Sequence, residues 1–114
     1  MSVVHVTATI ANGASLSDAI LINEAAVVGI KMPAAWTAAD LTLQAAGEDA
    51  ESTFNNVYDQ EETEVTIQAD ASRHIVLEPA KFIGIKWLKI RSGTAASAVN
   101  QGGARSIVVY LMTE

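Results

Sequence analysis

Seven carboxylates fall between positions 48 and 64: Glu48, Asp49, Glu51, Asp59, Glu61, Glu62 and Glu64. Paired carboxylates can share general acid and base work, cleave glycosidic bonds or hold calcium. The spacing here favours none of these. Calcium loops alternate Asp or Asn around a glycine, whereas these acids sit in two polar, turn-like stretches and read as solvated turns. His5 falls on the polar side of an alternating segment, and His74 stands beside Arg73 ahead of an apolar run. A hydrolytic triad needs a histidine held by a carboxylate next to a nucleophile in a strained turn, and no G-x-S-x-G is present. Both histidines therefore read as surface or hydrogen-bonded strand residues. Gly102-Gly103 lacks the lysine and the following helix of a phosphate loop. Trp36 and Trp87 could stack on sugars. The stronger expectation is that Trp87 packs in the core with its N–H satisfied, and that Trp36 plugs one end of the fold. The chain has no cysteine, which removes disulfides, thiolate catalysis and cysteine-held metals. We thus expect no catalytic residues, no metal ligands and no cofactor, and a small hydrolase built on the acid cluster is the weakest reading.

The elements that must position these residues are short and mostly of period two. Val4, Val6, Ala8 and Ile10 alternate with polar neighbours until Asn12-Gly13, a turn pair. Apolar runs follow at 19–22 and 26–32, the second stopped by Pro33. Residues 33–40 are alanine-rich but too short for an independent helix, and read as a loop or a single turn. Strand-like segments recur at 41–45, 54–58, 65–67 and 75–77, separated by the polar loop 46–53 and the charged turn 59–62. Residues 79–84 form a turn that drops Phe82 onto the core. In 85–91 both alternating faces are mixed, so the sequence does not choose between them. The small-residue stretch 92–104 is a long loop without side chains for a core, and 106–112 is a buried central strand. About eight short strands near ten-residue spacing predict an all-β fold, an antiparallel β-sandwich or jelly roll whose first and last strands pair. At 114 residues it is a single domain spanning 1–114, since two would leave about 60 residues for each core.

Charge narrows the partners. The formal net charge is −6, which argues against nucleic acid as the main partner. Residues 1–70 carry eleven acids against Lys31 alone, for −10, while residues 71–114 carry six bases and two acids, for +4. These halves can pair within the domain, or an acidic face can meet a basic face on a neighbour. In the second case Glu61 and Glu62 on one side, and Lys86, Lys89 and Arg105 on the other, are the expected partner contacts. No apolar run is long enough to span a membrane, and the first ten residues lack a basic n-region, so neither a span nor a signal peptide is expected.

The segment Met32-Pro33-Ala34-Ala35-Trp36-Thr37-Ala38-Ala39-Asp40-Leu41-Thr42-Leu43-Gln44 is followed by a small-residue loop, by Val57-Tyr58-Asp59, and by Arg73 ahead of Ile75-Val76-Leu77-Glu78-Pro79. Lys89-Ile90-Arg91-Ser92-Gly93-Thr94, Val99-Asn100-Gln101 and Arg105-Ser106-Ile107 complete the order. From about residue 10 to 112 this resembles small β-sandwich proteins encoded in the structural-gene blocks of tailed bacteriophages and prophages. The resemblance implies a non-enzymatic virion structural protein, most of all a capsid decoration (cement) protein. It would be made in the host cytoplasm and held on the capsid exterior. Its partners would be the major capsid protein and itself, as a trimer or dimer. The Leu-x-Leu-Gln, loop, Val-Tyr-Asp order is also similar to discoidin-type sugar-binding sandwiches, although this chain is shorter and lacks an aromatic-rich ligand loop. That likeness implies the alternative, a carbohydrate-binding module of a phage head or tail fibre, using Trp36, Tyr58 and the 93–104 loop.

Overall fold

The fold is that of a computed structural model, which describes residues 2–23, 25–48 and 53–113. Eight strands follow in chain order: β1 (Ser2–Ile10), β2 (Ile20–Leu21), β3 (Ala26–Lys31), β4 (Leu41–Ala46), β5 (Asn55–Asn56), β6 (His74–Val76), β7 (Trp87–Ser92) and β8 (Arg105–Thr113). They form two antiparallel four-stranded sheets, ordered β1-β8-β3-β6 and β2-β7-β4-β5. The expected all-β sandwich is what the chain adopts, and among the described residues there is no α-helix.

Alternation builds the first sheet. Ala8 and Ile10 of β1 and Ile107, Val109 and Leu111 of β8 turn inward and are buried, while His5, Thr7 and Thr9 turn outward. The terminal strands pair over their whole length, Ser2 against Thr113 through Ile10 against Arg105. In β3 the inward residues are Val27 and Ile30, three apart rather than two. The register shifts between Val27 and Gly29, and this bulge resets the pleat so that both side chains reach the core.

The second sheet contributes Leu41 and Leu43 from β4 and Leu88 and Ile90 from β7. Pairing resolves the ambiguity of 85–91. Leu43 lies opposite Ile90 and Ala45 opposite Leu88, so those residues share the core face, and Trp87, Lys89 and Arg91 share the outer one. A single 3-10 turn, Pro79–Phe82, places Phe82 against the core as expected. Two sequence expectations shrink. The 54–58 segment keeps only Asn55–Asn56 as strand, and 65–67 joins the second sheet through an isolated Leu41–Ile67 bridge.

Candidate functional site

The described members of the acidic cluster do not converge. Asp59 organises its own turn, where its Oδ1 accepts the N–H groups of Glu61 (2.8 Å) and Thr63 (3.0 Å). Glu61 and Glu62 are exposed in that turn, as the solvated-turn reading expects, and Asp49 and Glu51 lie outside the described residues. Glu64 leaves the group and turns inward to Arg91. The Arg91 Nη1 donates to Glu64 Oε2 and to Thr42 Oγ1, both at 3.2 Å, and its Nη2 donates to Asn56 Oδ1. The Glu64 carboxylate also accepts the N–H of Ala95 (3.1 Å to Oε2), and Thr42 Oγ1 donates to Gly93 O at 2.7 Å. Arg91 stands on the outer face of its strand, yet only 6% of it is exposed. The 55–64 excursion lies over it, so a guanidinium with its fork of donors pins that excursion to the sheet.

A second polar cluster lies next to the first, past Ser92. Gln101 is buried at 1% exposure. Its Oε1 accepts Thr37 N–H (2.8 Å) and Arg105 Nε (3.1 Å), and its Nε2 donates to Thr37 O (3.0 Å) and Ser92 Oγ (2.7 Å). The 92–104 loop thus carries an interior side chain, contrary to the expectation that it has none to contribute. Gly93 makes its turn at φ +89°, where an added Cβ would lie 2.5 Å from Ser97 O. Arg105 is held within the chain by Gln101, and Lys89 lies with its Nζ 4.5 Å from the centre of the Phe54 ring. Lys86 is half-buried, its backbone bonded to Ala46, Ile22 and Asn23. Of the five expected partner contacts, Glu61 and Glu62 are exposed, whereas the three cations are only partly exposed.

The aromatic residues divide. Trp36 packs against the core and donates its Nε1 to Ala39 O at 3.1 Å, which fits a plug. Tyr58 is 53% exposed. Trp87 departs from expectation: its side chain stands on the outer face and not in the core, and its Nε1 is buried with no hydrogen-bond partner among the described residues. His5 and His74 flank Tyr110 on the outer face of the first sheet. His74 stacks on it at 4.9 Å between centroids and His5 meets it edge-on at 6.3 Å. Gly29 lies beneath that stack, and a Cβ there would press on Ile75 O at 3.1 Å. Among the described residues no group of three or more His, Asp or Glu is placed to hold a metal ion, and no helix is long and apolar enough to cross a membrane.

The unsatisfied chemistry lies in backbone edges. Met32 N–H bonds Arg73 O and Leu77 N–H bonds Val28 O, so the odd residues of the β6 segment face β3. The N–H and C=O of His74 and Val76 consequently point away, to the open edge. Across a gap, Val65 and Ile67 bond to Val57 and Leu41, which leaves Thr66 and Gln68 pointing away from their sheet as well. Between the two edges runs an open slot of about 360 Å³, lined by Ile67, Ile75, Leu77 and Phe82 with Glu78 and Lys81 at its rim. Val76 beside it is 85% exposed. This slot is a consequence of strand direction and of the short β6, and no residue pattern in the sequence marks it. Comparison of the chain with family models, with curated proteins and with solved structures found no match.

Proposed function

We propose that this chain is a non-enzymatic virion structural protein of a tailed bacteriophage, a head decoration protein that grips neighbouring capsid subunits from outside the shell. The likeness of residues 10–112 to small phage sandwiches supports the role. The observation that carries the binding mode is the slot between 65–68 and 74–77. Both of its walls are strand edges with outward backbone donors and acceptors, and its floor is apolar. An extended segment with alternating apolar side chains meets both demands, because its backbone bonds the edges while every second side chain enters the floor. In this reading the occupant is such a segment of the capsid subunit, and the rest of the sandwich is a rigid frame.

The test is addition of the purified protein to undecorated shells at micromolar concentration. Co-sedimentation and raised resistance of the shells to heat are expected. Absence of binding would end the decoration role. Val76→Pro deletes one outward N–H without touching the bonds to β3, and is expected to weaken shell binding while leaving the fold intact.

A sugar-binding role keeps one observation in its favour, the exposed ring of Tyr58. It requires a glycan-array signal that Tyr58→Ala abolishes.

A further inference from the structure

We propose that two copies of this chain pair along β1, antiparallel, about a two-fold axis passing between the two His5 residues. This goes beyond shell binding and does not depend on it. β1 is the outermost strand of its sheet, bonded on one side to β8 over nine residues with no bulge. Among the described residues its other side is closed only at its end. There Thr9 N–H donates to Asp18 Oδ1 (2.8 Å), Asp18 N–H donates to Thr9 O (3.1 Å), and Ile10 bridges to Ser17. Thr9 therefore points its backbone groups away from β8. By the alternation of an antiparallel ladder, Val3, His5 and Thr7 do the same. Those groups make no backbone hydrogen bond among the described residues.

Edges this long are normally protected by a charge, a proline or a bulge. Residues 2–10, SVVHVTATI, contain no Lys, Arg, Asp, Glu or Pro, and Val3 and Val4 are 62% and 44% exposed. The occupant follows from what the edge offers. It is neutral and read in twos, so the matching surface is another neutral strand edge with the same period, and a second β1 is one. Of the acids, Asp18 stands beside β1, where its Oδ1 accepts the Thr9 N–H at the closed end of the edge. The Asp59–Glu64 turn belongs with β5 and β6, at the opposite end of both sheet orders from β1 and β2.

The closed end also sets the register. With His5 opposite the partner's His5, Val3 meets the partner's Thr7 and Thr7 the partner's Val3, so every free group is paired, giving about six backbone hydrogen bonds. A shift of two residues one way runs Val3 onto the partner's Thr9, already bonded to Asp18, and a shift the other way leaves only Val3 and His5 paired among the described residues. On the inner face of this register Val4 covers the partner's Val6. The result is one eight-stranded sheet with the His5 and Tyr110 rings of both copies along its centre, and an isologous contact that closes at two subunits.

Sedimentation equilibrium of the full chain, without shells, tests this at low and at high salt. The expected species has twice the 12.0 kDa mass of one chain and persists at high salt, because no ion pair crosses the edge. The chain has no cysteine, so His5→Cys introduces a single thiol. Directly opposed residues of a hydrogen-bonded pair lie about 5.5 Å apart at Cα, within reach of a disulfide. Mild oxidation of His5→Cys is expected to lock the dimer, whereas Ser106→Cys, exposed on the adjacent strand, is expected to stay monomeric under denaturing conditions. His5→Lys sets two charges face to face and is expected to give monomer with an unchanged circular dichroism spectrum. Thr7→Pro, which removes an outward donor, is a second route to the same result. A monomer at every concentration, a trimer, a dimer lost at high salt, or a dimer that His5→Cys fails to lock would each overturn the proposal.

Discussion

The two outer faces of the sandwich are finished in different ways. Over the second sheet the chain folds back on itself: residues 55–64 cover Arg91, and the guanidinium, Glu64, Asn56 and Thr42 satisfy one another. Over the first sheet no described segment returns. Its outer face shows His5, Tyr110 and His74, and both of its edge strands present backbone groups to solvent. Leaving an apolar edge uncovered invites association, and the chain accepts this at β1, at β6 and along 65–68, while it covers the outer face of the second sheet with buried polar groups. The difference separates what holds the fold from what is available to other proteins.

The largest effect should come from the closed side. Arg91→Ala leaves Glu64 half-enclosed without its cation and frees the excursion, and a loss of about 3–5 kcal/mol is expected in urea denaturation. A loss below about 1 kcal/mol would mean that the excursion is held by something other than this pair. Next is Gln101→Ala, which strands Ser92 Oγ and the Thr37 backbone, for about 2–3 kcal/mol by the same measurement. On the open side, Val76→Lys should change stability by no more than about 0.5 kcal/mol, since the side chain is 85% exposed. The same substitution should reduce shell binding, and a variant that lost stability but not binding would invert the comparison. A small effect on stability is also expected from Trp87→Phe. It removes an indole N–H that has no hydrogen-bond partner among the described residues, so the lost packing is partly offset and the net change stays below about 1 kcal/mol.

Much of the frame was legible because a half-buried strand writes its burial into every second residue. β1, β4 and β8 are of this kind, and Pro79-Ala80-Lys81-Phe82 announced its turn. The bulge at Val27–Gly29 was not legible, since a spacing of three between Val27 and Ile30 looks like part of a continuous apolar run. Arg91 escaped for a different reason. It occupies an outward position, where arginine is ordinarily solvated, and its partners Glu64, Asn56 and Thr42 lie 27, 35 and 49 positions away. Gln101 was hidden by its setting among glycines in a loop. The charge asymmetry read from the sequence resolves in part within the chain, through Arg91 with Glu64 and Arg73 with Asp70 at 3.9 Å. The slot could not be read at all, because it depends on which backbone groups face outward, and side-chain chemistry is silent about that.

Amide hydrogen exchange on the free protein and on the protein bound to undecorated shells tests the division between closed and open edges most directly. In the free protein Ile75 and Leu77 should exchange slowly, and His74, Val76, Thr66 and Gln68 quickly. On shells those four amides should become protected while the residues around Arg91 stay as they were. Shell-bound protein whose four slot amides exchange as fast as before, with new protection elsewhere, would contradict this account of how the molecule binds.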